Sequence, residues 1–338
     1  MGGGSGTTRT LGVASAGESR LLSSDGPSKA ATLRGAVTDR AAWRRILADV
    51  AVVTVTPFAG RHLEAIDHDG LERNLGHLSR GGVRLLVAGG NTGEFAALAD
   101  AEVIDVVGAH ARLAQGRATV IAGVGYPLER AIELGRASIE AGADGLMIHH
   151  PIHPYASEAG LVTYYTSLAE ALPGVRLILY VRGPQLTPAS VRRLATIESI
   201  VGVKMGQADP ERFARLVAAA PDLAWVCGLA ETWAVRFWQA GAIGFTSGFA
   251  NVAPDRSLEV LAALVAGDLP RAERLVAWLQ PIEQLRAGRG EANNVAVIKA
   301  AMDLVGLVGG GLRPPLSELN EEDHAELVRI LRTMGLPA

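Results

Sequence analysis

A lysine lies inside the apolar run 201–205, an unusual place for a cation. The chain has only three lysines, Lys29, Lys204 and Lys299, because it uses arginine almost everywhere else. Guanidinium stays protonated, whereas a desolvated lysine loses its proton readily. A neutral amine can attack a carbonyl carbon and form a Schiff base. The run therefore indicates a nucleophilic lysine at a strand end, although a lysine whose stem merely covers apolar surface fits this short stretch equally well.

Polar residues at the ends of other apolar runs supply partners for such an amine. Tyr180 ends the preceding run, and a phenol beside an amine can shuttle protons while a carbinolamine forms and collapses. Gly90, Asn91 and Thr92 lie in a glycine-rich turn whose backbone N–H groups would converge on a carboxylate. Ser247 ends a later run and could bind the polar end of a ligand. Each also fits a purely structural role. Tyr180 could be a strand-end tyrosine with a solvated hydroxyl, Asn91 or Thr92 could cap the next helix, and the residues around Ser247 could simply close the barrel.

Three histidines, His149, His150 and His153, follow another apolar run and raise the question of a metal site. No carboxylate or further histidine stands at the ends of the other runs in a ligating pattern. We therefore expect no metal. A metal-dependent enzyme stays open as an alternative, and activity that survives exhaustive chelation would eliminate it.

Short apolar runs alternate with amphipathic segments from residue 49 onwards. Near-continuous apolar runs are typical of strands covered on both faces, and hence of a parallel sheet. Eight strand–helix units in succession predict a closed (β/α)8 TIM barrel, with an open doubly wound sheet as its rival. No G-x-G-x-x-G follows the first run, which weakens a dinucleotide-binding version of that rival. The predicted strands are residues 51–56, 83–88, 118–123, 145–149, 176–180, 201–204, 224–227 and 242–246.

Three regions follow from this pattern. Residues 1–37 are rich in Gly, Ser and Thr and predict a flexible N-terminal tail. Residues 38–254 form the barrel with a leading helix, for which Thr38 is the expected N-cap. Residues 255–338 predict a C-terminal helical extension without chemistry of its own, with helices at 255–266, 269–286, 294–305 and 321–334.

The predicted barrel decides between the functional and the structural interpretation of Lys204. Active sites of (β/α)8 barrels lie at the C-terminal ends of the strands. Lys204 ends the sixth predicted strand, whereas Lys299 falls within a predicted helix and Lys29 within the tail. We therefore expect Lys204 to be the functional amine.

The composition of the chain excludes several classes of binding partner. The formal net charge of -3 gives no basic footprint, which argues against nucleic acid. Cys227 is the only cysteine, so no intramolecular disulfide forms, which fits a cytoplasmic protein. The longest apolar runs are strand-length, and the N-terminus lacks the apolar core of a signal peptide, so we expect no membrane association.

The order of the motifs resembles the dihydrodipicolinate synthase / N-acetylneuraminate lyase superfamily, from about residue 49 to the C-terminus. This resemblance implies a (β/α)8 barrel with a helical C-terminal extension, a homotetramer, and a cofactor-free Schiff-base lyase acting on pyruvate or a related 2-keto acid. It also implies that Lys204 forms the Schiff base, that Tyr180 transfers protons, and that Asn91 and Thr92 hold the carboxylate. The matching motifs are Thr56-Pro57-Phe58, Gly90-Asn91-Thr92-Gly93-Glu94, Tyr180, Gly202-Val203-Lys204, Asn251-Val252-Ala253-Pro254 and Leu312-Arg313-Pro314-Pro315-Leu316.

The chain also departs from the synthases. Gln185 stands where they place an arginine that binds a substrate carboxylate, and Arg182 is the nearby residue that could replace it. Asn91 stands where they have threonine, and His153 lies where they have a second tyrosine. Other features are similar to the 5-dehydro-4-deoxyglucarate dehydratase branch, namely Ala88-Gly89-Gly90 before Thr92-Gly93-Glu94-Phe95, Ala156-Ser157 before Gly160-Leu161, Tyr180-Val181-Arg182, and Arg313-Pro314-Pro315-Leu316.

The expected function is therefore a Schiff-base lyase of a 2-keto acid, with a small-molecule substrate and either dehydratase or aldolase chemistry. One alternative is condensation of pyruvate with an aldehyde, as in dihydrodipicolinate synthase. Another is a non-catalytic barrel that binds keto acids, which would bind pyruvate-like ligands and release no product.

Overall fold

The computed structural model describes residues 1–3 and 39–337. Residues 4–37 of the predicted tail and Thr38 lie outside the described residues. The first described helix, α1 (Arg40–Leu47), has Asp39 as its N-cap, and the Asp39 side chain accepts a hydrogen bond from the Ala41 amide. The prediction of Thr38 as the cap is therefore wrong by one residue, because the carboxylate of Asp39 already satisfies the first turn.

Eight parallel strands form a closed barrel in chain order, which confirms the predicted (β/α)8 fold. Strand ends differ from the predicted ones by three residues or fewer. An antiparallel hairpin, β2–β3, lies between the first two barrel strands and was not predicted. The strands are β1 (Val50–Val53), β2 (Phe58–Ala59), β3 (Ala65–Ile66), β4 (Leu85–Ala88), β5 (Thr119–Val124), β6 (Gly145–Ile148), β7 (Leu177–Val181), β8 (Ile200–Met205), β9 (Ala224–Cys227) and β10 (Gly244–Ser247).

Helices cover the outside of the barrel, and four more form the C-terminal extension. The barrel helices are α2 (His68–Arg80), α3 (Asp100–Ala114), α4 (Leu128–Glu140), α5 (Glu158–Ala171), α6 (Pro188–Ala195), α7 (Pro210–Ala219) and α8 (Ala230–Gln239). The extension holds α9 (Pro254–Val265), α10 (Leu269–Ala287), α11 (Asn293–Leu304) and α12 (Glu321–Thr333). None of the helices in the described part of the chain is both long and apolar enough to cross a membrane.

The core has two layers because each strand alternates its side chains between two faces. Outward-facing residues of the strands pack against the helices in the larger cluster. Inward-facing residues fill the barrel, among them Ile121, Met147 and Ile178. Trp43 and Leu47 of α1 belong to this inner cluster, so α1 closes one end of the barrel. Polar residues lie at the opposite end of the barrel, where the C-terminal ends of the strands meet.

Strand β8 contains an irregularity that decides where its side chains point. Leu177 pairs with Ile200, but the next residue, Ile178, pairs with Gly202, so Val201 is an extra residue in β8. Val201 packs in the inner cluster, and Tyr180, also in that cluster, pairs with Lys204. Without the extra residue, strict alternation from Val201 would turn Lys204 towards the helices. The bulge therefore directs Lys204 into the barrel.

The C-terminal extension is tied to the glycine-rich turn after β4 by a buried ion pair. Nζ of Lys299, in α11, lies 2.5 Å from Oε1 of Glu94, and the two side chains are 1% and 0% exposed. Lys299 also donates to the Gly311 carbonyl at 2.7 Å, and the Arg313 amide donates to Glu94 at 3.1 Å. The two opposite charges thus offset each other inside the protein, although desolvation still lowers the pKa of Lys299.

Candidate active site

The side chains of Lys204 and Tyr180 meet at the C-terminal end of the barrel. The two residues are directly paired between β7 and β8, and both side chains face inward. Nζ of Lys204 lies 4.1 Å from the centroid of the Tyr180 ring and 3.8 Å from Sδ of Met147. Each residue is 5% exposed. The amine therefore sits among apolar and aromatic groups, with no carboxylate bonded to it among the described residues.

Burial brings the pKa of this amine into the neutral range. Desolvation, aided by the positive charge of Arg182 and opposed by Cys227, lowers the pKa of Lys204 to about 7. The pKa of Tyr180 is raised, mainly by burial, so its phenol keeps its proton at neutral pH. A substantial fraction of Lys204 is thus neutral next to a protonated phenol, which is the pairing needed for attack on a carbonyl with proton transfer to its oxygen.

The pH dependence of adduct formation should report this environment. Below about pH 7 the rate at which Lys204 reacts with pyruvate should rise about tenfold per pH unit, and above it the rate should level off. In Arg182→Ala this limb should move to higher pH, because the lost cation no longer disfavours the ammonium form. Borohydride trapping across pH measures both effects. A wild-type rate that still climbs beyond about pH 9 would contradict the lowered pKa, since an unperturbed lysine titrates near 10.4.

The glycine-rich turn places Asn91 beside Tyr180. The Nδ2 group of Asn91 donates to the Tyr180 hydroxyl oxygen at 3.4 Å. Asn91 is exposed and Thr92 is buried. At Gly90 a side chain would not fit, because a Cβ atom would lie 2.4 Å from Cγ1 of Val53. Since Asn91 donates to the phenol oxygen, the phenol proton stays free for a ligand.

The turn is held by bonds that fix its backbone. The Gly93 amide donates to the Gly90 carbonyl at 3.0 Å, and the Thr56 hydroxyl donates to the Gly93 carbonyl at 2.9 Å. Glu94, the next residue, has a φ of 57°, a left-handed conformation that is uncommon outside glycine. The ion pair of Glu94 with Lys299 keeps it there. The extension therefore contributes to the geometry of the turn, although the sequence predicted no such role.

The three histidines are spread over different environments. His149 is buried, its Nε2 group donates to the Gly89 carbonyl at 2.9 Å, and burial lowers its pKa to about 4. Burial and Arg182 lower the pKa of His150, and Nδ1 of His153 accepts from the Tyr155 amide at 3.2 Å. No group of three His, Cys, Asp or Glu side chains within residues 1–3 and 39–337 could hold a metal ion. The geometry of His149 is that of a neutral ring that braces the turn after β4.

Arg182 lies at the mouth of the site, immediately after β7. Its side chain is 50% exposed, and its charge affects the pKa values of Lys204, Tyr180 and Tyr126. Gln185 is half-buried, and its Oε1 atom has no hydrogen-bond partner among the described residues. The guanidinium is therefore placed to meet a second anionic group of a ligand, whereas the amide brings no charge.

The structure does not bring Ser247 into the site. Its hydroxyl donates to Glu231 at 2.5 Å, lies 3.2 Å from the Ser257 hydroxyl and accepts from the Ala250 amide at 2.8 Å. Ser247 pairs with Val52, an outward-facing residue, so its side chain points to the helices. The expectation that Ser247 binds a ligand is not supported, because the adjacent Thr246 takes the inward position instead.

Two aromatic residues, Phe95 and Tyr126, pack beside the site, and the sequence analysis assigned neither of them a role in it. Phe95 stacks on His149 with ring centroids 4.3 Å apart, and Tyr126 lies 5.5 Å from Phe95. Tyr126 is the second residue after β5, so a tyrosine just beyond the end of a predicted strand was the available signal. Phe95 gave none, since it comes from a short 3-10 helix after the turn.

Comparison with known proteins places this geometry in a family. The model of the dihydrodipicolinate synthetase family matches residues 46–334. A 4-hydroxy-tetrahydrodipicolinate synthase from Methanoculleus marisnigri is 33% identical over 83% of this chain and 97% of its own length. A probable 5-dehydro-4-deoxyglucarate dehydratase from Saccharopolyspora erythraea is 34% identical over 79% of this chain and 88% of its own.

A solved structure agrees with both. The crystal structure of dihydrodipicolinate synthase from Oceanobacillus iheyensis superposes with a TM-score of 0.85 and 38% identity, covering 88% of this chain and 99% of that one. The region that the family model matches, residues 46–334, contains all eight barrel strands and the helices of the extension. The chain therefore belongs to the dihydrodipicolinate synthetase family and is a Schiff-base lyase of that superfamily acting on small molecules.

Proposed function

We propose that this protein forms a Schiff base between Lys204 and a 2-keto acid derived from a deoxy sugar acid, and that it dehydrates or cleaves that acid. The observation that carries the proposal is the buried Lys204 amine, 4.1 Å from the Tyr180 ring and with a pKa of about 7. The dehydratase version is supported by the similarity to the Saccharopolyspora erythraea protein. Arg182 supports a substrate with a second anionic group.

The mechanism begins when neutral Lys204 attacks the C2 carbonyl carbon. Tyr180 gives its proton to the carbonyl oxygen as the carbinolamine forms, and water leaves to give the protonated imine. The imine withdraws electrons from C3, so C3 loses a proton to give an enamine, and the electron pair then expels a hydroxyl from C4 with a proton as water. In aldol cleavage the C4 hydroxyl instead loses its proton as the C3–C4 bond breaks, so C4 leaves as an aldehyde. The electron pair on C3 is held as the enamine, which then takes up a proton at C3 to give the imine. Hydrolysis of the imine frees Lys204.

The substrate's first carboxylate is assigned to the turn after β4. Backbone N–H groups of a glycine-rich turn and the Thr92 hydroxyl suit an anion, and Asn91 adds a side-chain donor. This places the carboxylate at the end of β4, across the inner face from Lys204. The second anionic group would meet Arg182 at the mouth.

The second candidate is condensation of pyruvate with an aldehyde, which the names of several relatives favour. That reaction must hold the aldehyde substrate by its own carboxylate, and a bidentate arginine is the natural group for this. Gln185 offers a neutral amide at that position, which should cost on the order of 1–2 kcal/mol in binding. Arg182 is the residue that could compensate.

A direct comparison of substrates tests the proposal. We expect a higher kcat/KM on 5-dehydro-4-deoxyglucarate than on pyruvate with aspartate semialdehyde in a coupled assay. A higher value on the semialdehyde pair would overturn the dehydratase assignment, and loss of that activity in Arg182→Ala would then identify Arg182 as the substitute anchor. Binding of both keto acids without any product would instead support a non-catalytic barrel.

A further inference from the structure

The connection between α10 and α11 reaches the mouth of the site in an unusual backbone conformation. Arg289, Gly290 and Glu291 all have positive φ angles, of 52°, 67° and 70°. Non-glycine residues rarely adopt this conformation and keep it only when their surroundings enforce it. Two non-glycine residues of this kind on either side of Gly290 indicate a segment whose shape is imposed by the rest of the protein.

Ion pairs with α12 hold this connection in place. Nε of Arg289 lies 2.5 Å from Oδ2 of Asp323, and its NH2 group lies 3.3 Å from Oε2 of Glu322. Nδ2 of Asn293 donates to the same Asp323 oxygen at 2.9 Å. The base of the connection is therefore anchored, while Glu291 stands free of it, with its side chain 71% exposed.

Glu291 uses that position to face Arg182. Oε2 of Glu291 lies 3.9 Å from the NH2 group of Arg182, and this is the one ion pair that Arg182 makes within residues 1–3 and 39–337. The negative charge of Glu291 also contributes to the raised pKa of Tyr180, so the carboxylate lies within electrostatic range of the reacting groups. Residues almost 110 positions apart in the chain thus share one corner of the mouth.

We propose that Glu291 is a specificity-determining residue: it holds the Arg182 guanidinium until a 2-keto acid with a second carboxylate displaces it. The inference rests on the proposed function, because it takes Lys204 as the site of imine formation. A keto acid with one carboxylate reaches Lys204 and the turn after β4 and leaves the Glu291–Arg182 pair intact. A dicarboxylate, the proposed sugar-derived substrate included, displaces Glu291 from Arg182 as its second carboxylate binds, so the pair lowers the affinity for dicarboxylates to the extent that it is stable.

The size of this selection is bounded by the exposure of the pair. Pairs between exposed, flexible side chains are weak, and at 3.9 Å this one is no exception. Removing the charge of Glu291 should therefore strengthen dicarboxylate binding by about two- to fivefold. Because the pair is weak, a carboxylate of the substrate can replace the carboxylate of Glu291 at the Arg182 guanidinium.

The test compares imine formation with pyruvate and with 2-oxoglutarate, which adds a distal carboxylate. Glu291→Gln, Arg182→Gln and the double variant are trapped with borohydride at about pH 9, about two pH units above the Lys204 pKa of about 7, so that the amine is neutral in all of them. Mass spectrometry gives the half-saturating concentration of each keto acid. Glu273→Gln, an exposed position on α10, is the matched control for loss of one negative charge.

We expect Glu291→Gln to lower the half-saturating concentration of 2-oxoglutarate about two- to fivefold and to leave that of pyruvate unchanged. Arg182→Gln should raise it for 2-oxoglutarate, and in that background Glu291→Gln should have no further effect. Equal changes for both keto acids, no change for 2-oxoglutarate, or weaker binding of it would each overturn the role of Glu291. Absence of any adduct in the wild-type protein would overturn the proposed function itself, and the inference with it.

Discussion

Lys204→Arg is expected to be as inactive as Lys204→Ala. Arginine keeps a long basic side chain at this position, but guanidinium does not lose its proton and cannot form an imine. Removal of a covalent nucleophile from an enzyme commonly costs on the order of 10⁴–10⁶-fold in kcat. Turnover measured with saturating keto acid should therefore be at background in both variants. Retention of even a tenth of wild-type turnover in Lys204→Arg would show that Lys204 does not form the covalent bond.

Trapping with borohydride identifies the bond directly. Peptide mapping should find the reduced adduct on the peptide that contains Lys204, and neither Lys299 nor Lys29 should carry it. An adduct on Lys299 would transfer the chemistry to the extension and contradict the assignment. The assignment of the adduct to one lysine is unambiguous because the chain has only these three lysines.

Lys204→Met is the variant that separates loss of activity from unfolding, because it removes the amine and keeps an unbranched side chain of similar size. The folded protein lowers the pKa of Lys204 to about 7, below the value of about 10.4 in an unfolded chain. Between these two values the unfolded chain binds more protons, so the stability contributed by this group is lost as pH falls from 10 towards 7. Methionine has no such cost, and it packs well beside Met147. We therefore expect the variant to unfold at or above the wild-type temperature at neutral pH.

Tyr180→Phe should lower kcat by roughly 10²–10⁴-fold, the usual cost of losing a positioned acid–base group. The ring that packs on Lys204 at 4.1 Å remains, so the amine keeps its surroundings. What is lost is the hydroxyl, to which Asn91 donates at 3.4 Å and whose proton is free for the substrate. Borohydride should still trap an adduct on Lys204, but its rate of formation should fall with kcat.

Tyr165→Phe is the matched control for Tyr180→Phe. Tyr165 is fully buried in α5, away from the site, and its hydroxyl has no hydrogen-bond partner among the described residues. Removing that hydroxyl should leave kcat unchanged and should not reduce stability, because no bond is lost. Near wild-type turnover in Tyr180→Phe would show that Tyr180 has only a packing role.

The sequence predicted the barrel well because its signal is local. Each parallel strand is buried on both faces and therefore appears as a short continuous apolar run, and the eight runs appear in order. The ends of these runs located Lys204, Tyr180 and the turn at Asn91 for the same reason. The face of the sheet to which a side chain points is not encoded so locally in the sequence. The bulge at Val201 and the choice of Thr246 over Ser247 depend on pairing between strands, and no apolar pattern records that.

Contacts between distant segments were not predictable either. Glu94 and Lys299 are both charged residues in otherwise apolar or glycine-rich surroundings, but nothing in the chain indicates that they meet. Glu291 reaches Arg182 only because Arg289 and α12 shape the connection. A single sequence gives the elements and their ends, whereas these pairs come from how the extension packs on the barrel.

The buried pair of Glu94 and Lys299 limits how this protein can be taken apart. A barrel cut after β10 would lose Lys299 and leave the Glu94 carboxylate buried without its counter-charge, which costs about 3–5 kcal/mol when one partner of such a pair is removed. The cut would loosen the very turn that follows β4. Grafting the turn onto another barrel would meet the same obstacle, since its conformation is completed by α11. The barrel and its extension therefore depend on each other for stability. In chimeras made from two related proteins, we expect stable folding only when residues 94 and 299 come from the same parent.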